Sequence, residues 1–144
     1  NKPEQLTAEE FRVMKTHTEI GAEMLMELPA EQRESELVKV AIEICRWHHE
    51  RYDGSGYPDG LKGEEIPIAA QVVALADVYD ALTSERCYKK AYSHTKALHM
   101  IVNGECGVFN PTLIQGLIDI SNTLASNLTY NQPDSYNVQG AVKI

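Results

Sequence analysis

Two adjacent histidines, His48 and His49, are the first candidates for metal chemistry in this sequence. They stand at the end of an apolar helical pattern, and the residues that follow are rich in Gly, Pro and Asp, which end a helix. Imidazole is a common ligand for divalent ions such as zinc, iron and manganese. The sequence therefore places two metal-capable rings at a helix end, directly before a loop of fixed shape.

Two further candidates, His17 and Asp77, interrupt the apolar faces of other predicted helices. Burying an unpaired carboxylate such as Asp77 is costly unless a cation or several donors meet it. Simpler interpretations stay open: an inward histidine is often a core residue, adjacent histidines can cap a helix C-terminus, and Asp77 can pair with Arg46 or Arg86. Taken together with the loop, the four residues favour a metal site.

The loop after the histidines carries five glycines or prolines between Gly54 and Gly63. Alone, such a loop is an ordinary tight turn, because a single Gly-x-Gly without a preceding strand is a weak ligand-binding signal. Further along, Arg86 and Lys89 are three residues apart and offer cations that can hold phosphate oxygens. A solvated charge cluster has the same composition, so spacing alone does not decide between the two.

The elements that must position these residues are helices. Thr7 opens a capping box and predicts a first helix that runs to Leu28. A second helix is predicted from about Ser35. The apolar stripe of the first helix is predicted to hold Met14, His17, Gly21, Met24 and Leu28. The inward face of the second is predicted to hold Leu37, Ala41, Ile44 and His48.

Two more helices follow the loop. Pro67 suits the first turn of a third helix that runs from Ile68 to Ser84. This third helix is apolar nearly all round, so we expect it at the centre of a bundle. Ser93 is the predicted cap of a fourth helix, which ends at Asn103 before a glycine.

A fifth helix opens at Asn110, followed by proline, and completes an all-α fold class. After about Ser126 the composition turns to Asn, Gln, Tyr, Ser and Pro. We therefore expect one helical unit over residues 1–126 and an irregular tail over 127–144.

Length, charge and composition limit the classes of function that the chain can have. The chain has 144 residues and a formal net charge of -8, which suits one domain and argues against binding long nucleic acid. No apolar run is long enough for a membrane span, and no signal peptide opens the sequence. Three widely spaced cysteines, without a zinc-type pair, predict a reduced cytoplasmic setting.

These motifs, in their order and spacing, closely resemble the HD-GYP family over about residues 1–111. The matching segments are Met14-Lys15-x-His17-x-x-x-Gly21, His48-His49-Glu50-x-x-Asp53-Gly54-x-Gly56-Tyr57-Pro58, Gly63-x-x-Ile66-Pro67, Ala76-Asp77-Val78-Tyr79-Asp80-Ala81-Leu82-Thr83 and Arg86-x-Tyr88-Lys89. The central segment is long and specific, so a chance match is not a reasonable explanation.

The resemblance implies an HD-domain-like helical bundle and a metal-dependent phosphodiesterase. HD-GYP proteins use two or three divalent ions, of iron, manganese or a similar metal, to hydrolyse cyclic di-GMP to the linear dinucleotide or GMP. By resemblance the metal ligands are His17, His48, His49 and Asp77. By resemblance the substrate, a cyclic dinucleotide, is contacted by Arg86 and Lys89 and lies beside the signature-loop residues Gly54, Gly56, Tyr57 and Pro58.

One departure from the family matters for activity. The family is named for a His-Asp pair, on a helix upstream of the segment that matches Asn1, and the sequence contains no His-Asp dipeptide. We therefore expect a C-terminal portion of an HD-GYP domain, truncated on its N-terminal side. Such a fragment is expected to bind metal weakly or not at all, to be inactive alone, and to self-associate through the surface left by the missing helices.

Two other functions compete with the leading one. A divergent member could keep the fold and loop as a non-catalytic module that binds cyclic dinucleotides or docks proteins. Another HD-superfamily phosphohydrolase could act on a different nucleotide, although the signature loop favours cyclic dinucleotides. Hydrolysis of cyclic di-GMP in bacterial second-messenger signalling remains the leading prediction.

Overall fold

Seven α-helices and one 3-10 turn form the part of the chain that the structure describes, residues 6–85 and 90–128, with backbone alone for 122–128. In this computed structural model the helices are α1 Ala8–Lys15, α2 His17–Met26, α3 Ala30–Arg33, α4 Glu36–Trp47, α5 Ile68–Thr83, α6 His94–Val102 and α7 Pro111–Leu128. No strand occurs within these residues, which confirms the predicted all-α class.

The helix starts follow the predicted caps. Thr7 and Glu10 form a reciprocal capping box, in which each side chain accepts a hydrogen bond from the other residue's backbone N–H. Ser35 and Ser93 cap α4 and α6 by the one-way bond alone, each accepting from the backbone N–H three residues on. These side chains satisfy backbone donors that the first helical turn leaves without partners.

The first predicted helix is broken, so the prediction of one continuous helix from Thr7 to Leu28 was wrong. At Thr16 the backbone N–H bonds to the carbonyl of Val13, 3.1 Å away, and the hydroxyl donates to the same oxygen at 2.7 Å. This tighter turn ends α1, and α2 begins at His17. The break therefore makes His17 the first residue of α2.

Helices α2 and α4 pack against each other and bring the two halves of the site together. Gly21 lies against Cys45 at this contact, where an added Cβ would be in ordinary van der Waals contact, 3.6 Å from the Cβ of Cys45. The predicted inward stripes were partly wrong: Met24 is 66% exposed and Leu37 is 80% exposed. The larger apolar side chains further along these two helices are therefore left mostly exposed.

Helix α5 is buried on one face only, so its prediction as a central helix was half right. Its inner face joins α6 and α7 in the main core. The buried members of that core are Ala74, Leu75, Leu82, Ala97, Leu98, Ile101, Phe109 and Leu117. On the outer face Ile68 is 60% exposed and Val72 is 47% exposed. Helix packing, rather than hydrophobicity, decides which face is covered.

The C-terminal helix extends slightly beyond its predicted end. Helix α7 reaches Leu128, two residues past the predicted boundary at residue 126. The rest of the predicted tail, residues 129–144, lies outside the described residues. Within those described, no helix is both long and apolar enough to cross a membrane.

Candidate metal centre and signature loop

Three of the four predicted metal ligands meet in space. His17 begins α2, His48 caps the C-terminus of α4, and His49 follows it. One ring nitrogen from each lies within 4.8 Å of the others, and these three form the cluster of metal-capable side chains found among the described residues. Sequence reasoning predicted the group, and the pairing of α2 with α4 assembles it.

The imidazoles of His17 and His48 are held by backbone carbonyl oxygens. The Nδ1 of His17 lies 2.7 Å from the carbonyl oxygen of Met14, and the Nδ1 of His48 lies 2.8 Å from that of Ile44. A carbonyl oxygen only accepts, so each Nδ1 carries the proton and donates it. Each Nε2 is then left with a lone pair, which is the tautomer that a metal-ligating histidine uses.

The two free nitrogens face each other. The Nε2 of His17 lies 3.3 Å from the Nε2 of His48. With both protons on Nδ1, two lone pairs point into the same space, an arrangement that a shared proton or a shared metal ion makes favourable. Two nitrogens bound to one ion at about 2.0–2.1 Å lie roughly 3–3.5 Å apart. The donor set therefore fits a divalent metal ion.

His49 is neutral at physiological pH. Burial is the main cause that lowers its pKa to about 4, and positive charge on His48, His17 and Arg51 contributes to the same shift. The aromatic ring of Tyr57 stacks on the imidazole, with ring centroids 4.8 Å apart and planes inclined by 26°. A neutral imidazole keeps the lone pair that metal binding requires.

Asp77 lies apart from the three histidines. The prediction that it is buried was wrong, because it projects from the exposed face of α5. Burial raises the pKa of Tyr57 and lowers that of Arg51, and the carboxylate of Asp77 adds an upward contribution to both. Asp77 therefore faces the same side of the site as those two residues. Its role as a metal ligand remains a prediction.

Arg46, one of the two predicted partners of Asp77, pairs with Asp59 instead. Its guanidinium makes two hydrogen bonds to that carboxylate, of 2.7 and 2.9 Å, and the indole N–H of Trp47 adds a third of 2.8 Å. These bonds lower the pKa of Asp59. They tie the far end of the signature loop, defined as residues 50–60, back to α4.

The signature loop has the irregular shape that its composition predicts. Gly54 has a φ of 84°, a conformation that side chains rarely adopt, and Ser55 donates twice to the carboxylate of Asp53. Gly56 has no room for a side chain, because a Cβ there would lie 2.6 Å from the carbonyl carbon of Glu50 and closer still to its Cα. The loop thus folds tightly over the residue that follows the histidines.

Glu50 was not among the predicted site residues, although it follows them directly. Its side chain is buried, with 2% of the residue exposed. One carboxylate oxygen, Oε1, accepts hydrogen bonds from the backbone N–H groups of Asp59 and Gly60, at 2.8 and 2.9 Å. The sequence signal was its place in the central matching segment, directly after the histidine pair, which does not reveal what its side chain contacts.

The chain between α6 and α7 braces the loop from the opposite side. The backbone N–H of Tyr52 donates to the carbonyl of Val108 at 2.9 Å, and the Arg51 guanidinium lies 5.1 Å from the ring centroid of Phe109. Gly107 allows this approach, since a Cβ there would lie 2.6 Å from the Arg51 side chain. Residues 107–109 therefore help to hold Arg51 beside the site.

Lys15 is a second cation beside the site, and sequence analysis did not predict it as a site residue. Its Nζ lies 4.9 Å from the ring centroid of Phe11 and 4.8 Å from that of Tyr57. Across residues 6–85 and 90–128 no carboxylate forms an ion pair with it. Its position two residues before His17 was the available signal. The ammonium is therefore held near the histidines with its N–H donors free for an anion.

The remaining predicted site residues divide into two groups. Gly54, Gly56, Tyr57 and Pro58 form the loop beside the histidines, so the structure brings this group to the site. Arg86 and Lys89 lie outside the described residues.

Comparison with known proteins gives a family match. Residues 1–113 match the HD domain family. A cyclic di-GMP phosphodiesterase of Vibrio cholerae is 46% identical over 119 residues, which are 83% of this chain and 24% of that protein. The cyclic di-GMP phosphodiesterase response regulator RpfG of Xanthomonas campestris is 44% identical over 117 residues, 81% of this chain and 30% of that protein.

A relative with a different substrate name also matches. The 3'3'-cGAMP-specific phosphodiesterase 2 of Vibrio cholerae is 37% identical over 119 residues, covering 83% of this chain and 22% of that protein. The chain thus spans between about a fifth and a third of the length of these curated relatives. The family match and these identities confirm the resemblance that the signature predicted, and the chain belongs to the HD domain family, in its HD-GYP branch.

Proposed function

We propose that this chain supplies part of the metal centre and the signature loop of a phosphodiesterase that hydrolyses cyclic di-GMP. The observation that carries the proposal is the pair of facing Nε2 atoms of His17 and His48, 3.3 Å apart. The names of the relatives support the substrate class. The resemblance supports a role for this activity in bacterial second-messenger signalling.

The proposed cofactors are divalent ions of iron, manganese or a similar metal, two or three in the intact domain. His17, His48 and His49 would supply imidazole nitrogens, and Asp77 would supply a carboxylate, a mixture that suits these ions. When bound, such ions activate water as a nucleophile and neutralise charge on phosphoryl oxygens.

The residues around the histidines have distinct proposed tasks. The ring of Tyr57 covers His49 and fixes its orientation. Lys15 and Arg51 place two positive charges around that ring, which attract the phosphates of a cyclic dinucleotide. Arg86 and Lys89 are proposed, by resemblance alone, to contact the same phosphates.

The test is an assay of the natural full-length protein with Mn²⁺ or Fe²⁺. We expect cyclic di-GMP to be opened to the linear dinucleotide or GMP, and a matched reaction with 3'3'-cGAMP decides which cyclic dinucleotide is preferred. Binding of either nucleotide without any product would replace this proposal by the non-catalytic binding module. Neither binding nor product would overturn both.

The 144-residue polypeptide itself is proposed to be inactive. It contains no His-Asp dipeptide, so the bridging ligands that the family uses are missing from it. We expect weak Mn²⁺ binding and no turnover when this polypeptide is assayed alone. Hydrolysis at the rate of the full-length protein would contradict the proposal.

We also propose that the polypeptide self-associates and that the protein works in the cytoplasm. Exposed apolar side chains on α2 and α4, among them Ile20, Met24 and Leu37, offer a surface that a second copy would cover. Light scattering of the 144-residue polypeptide tests this, and a monomer at all concentrations would refute it. Cys45 carries a free thiol, which suits the reducing cytoplasm where cyclic dinucleotides would be met.

A further inference from the structure

Glu50 joins the histidine end of α4 to the far side of the signature loop. Its Oε1 accepts from the backbone N–H groups of Asp59 and Gly60, nine and ten residues further along. The residue is 2% exposed, so these bonds lie away from competing water. Two N–H donors on one buried carboxylate oxygen form a strong and directional restraint.

The chain between those donors and Glu50 is pressed against the same residue. A Cβ on Gly56 would collide with the backbone of Glu50, and the N–H of Tyr57 donates to the carbonyl of His49 at 3.3 Å. Residues 56–60 are thus held to residues 49–50 by backbone contact at one end and by the Glu50 side chain at the other.

One aromatic ring, that of Tyr57, connects this restraint to a proposed metal ligand. Tyr57 lies in the held segment and stacks on His49, with centroids 4.8 Å apart. We propose that Glu50 is a positioning residue that keeps Tyr57 over His49, so that the loop and the metal ligand act as one rigid unit. The catalytic part of this proposal rests on the proposed phosphodiesterase function.

The second carboxylate oxygen guides the choice of variants. Oε2 of Glu50 has no hydrogen-bond partner among the described residues, and Glu50 borders a small cavity lined in part by Tyr52, Gln71 and Asn110. Glu50→Gln therefore keeps the acceptor that the two N–H groups need and changes only the atom without a partner. Glu50→Asp keeps the charge but is one methylene too short to reach them.

The experiment compares both variants in the full-length protein. Hydrogen exchange of the Asp59 and Gly60 amides reports the restraint directly, and the absorption spectrum of bound Co²⁺ reports the histidine geometry. We expect Glu50→Asp to speed exchange at both amides by at least about tenfold and to change the Co²⁺ spectrum. We expect kcat to fall by about 10- to 100-fold, since small displacements in an active site have effects of this size.

Glu50→Gln is expected to stay within about threefold of the wild type in kcat and in exchange, because hydrogen-bond acceptance rather than charge carries the role. The matched control is Glu64→Gln, which alters an exposed carboxylate in the 3-10 turn that follows the loop and that accepts from the Tyr52 hydroxyl. This control should change neither the Co²⁺ spectrum nor kcat.

The failures can be told apart. If Glu50→Asp lowers thermal stability but leaves exchange, the Co²⁺ spectrum and kcat unchanged, Glu50 is merely structural and the proposal is wrong. Equal loss in Glu50→Gln and Glu50→Asp would also overturn it. If the wild type hydrolyses no cyclic dinucleotide, the phosphodiesterase proposal fails while the exchange and Co²⁺ measurements still decide the role of Glu50.

Discussion

His17 and His48 face each other through their Nε2 atoms, 3.3 Å apart, while the backbone holds both Nδ1 atoms. The contact joins residues from two helices that are separated by 31 positions in sequence. It is the point at which the packing of α2 on α4 becomes a metal-binding arrangement.

Removal of either facing imidazole should weaken metal binding. We expect His17→Ala and His48→Ala each to lower the Mn²⁺ affinity of the full-length protein by at least about tenfold, because each removes a preorganised nitrogen donor. Calorimetric titration measures this. His99→Ala is the control, since His99 is exposed on α6 and contacts Asn103, and its affinity should match the wild type. Unchanged affinity in both cluster variants would rule out the site.

The pKa of His49 should rise when Tyr57 is truncated. Burial is the main cause that lowers this pKa to about 4, and Tyr57 covers the ring. In metal-free Tyr57→Ala we expect the pKa to move up toward the ordinary histidine value of about 6.5, as water reaches the imidazole. Titration of the His49 ring signals by NMR measures it, with Tyr92→Ala as control. A pKa that stays near 4 would contradict this assignment of cause.

Asp59 should make the stability of the folded chain depend on pH in the acidic range. Its hydrogen bonds with Arg46 and Trp47 lower its pKa in the folded state. Its contribution to the free energy of unfolding is therefore fully present above about 3.9, the pKa of an aspartate in the unfolded chain. That contribution is lost as the pH falls through the lower pKa that Asp59 has in the folded state. We expect Asp59→Asn to cost about 0.5–1 kcal/mol at pH 7, since the pair is partly exposed.

Urea unfolding at pH 7 and at pH 3 measures this dependence. The gap between wild type and Asp59→Asn should narrow at the lower pH, and a gap of constant size would be evidence against the proposed ionisation. Asp119→Asn, which alters an exposed carboxylate on α7, is the matched control and should stay within about 0.5 kcal/mol of wild type.

Lys15 should contribute to substrate binding if the phosphodiesterase proposal holds. We expect Lys15→Met to raise KM for the cyclic dinucleotide about two- to fivefold with little change in kcat, the effect of losing one partly exposed charge contact. Lys15→Arg should restore most of the affinity. Lys96→Met is the matched control, because Lys96 also lies over an aromatic ring, that of Tyr92. Equal KM values for wild type and Lys15→Met would refute the assignment.

Local signals in the sequence predicted the starts of α1, α4, α5, α6 and α7, and they put the three histidines of the cluster among four candidate metal ligands. Caps such as Thr7, Ser35 and Ser93 act within one turn of their own helix, so the sequence alone reveals them. The break at Thr16 was not predicted. It depends on the hydrogen bond from the Thr16 hydroxyl back to the carbonyl of Val13, and the presence of a threonine does not by itself predict that bond.

The surroundings of the site depend on long-range packing that no periodicity reports. Leu37 and Asp77 were both predicted to face inward, and both are exposed, since the partner that covers a helix face is decided by the tertiary fold. Glu50 was missed because its two hydrogen bonds span an irregular loop, in which no repeating interval connects donor and acceptor. The residues that could bind metal were therefore easier to predict than the contacts that hold them in place.

The brace that residues 107–109 provide has a practical consequence for protein engineering. A peptide of residues 48–60 grafted onto another helical scaffold would carry two histidines and the full signature, but not the contacts of Arg51 with Phe109 or of Tyr52 with Val108. Transplanting the loop thus requires a discontinuous graft, in which a second segment, distant in sequence, travels with the first.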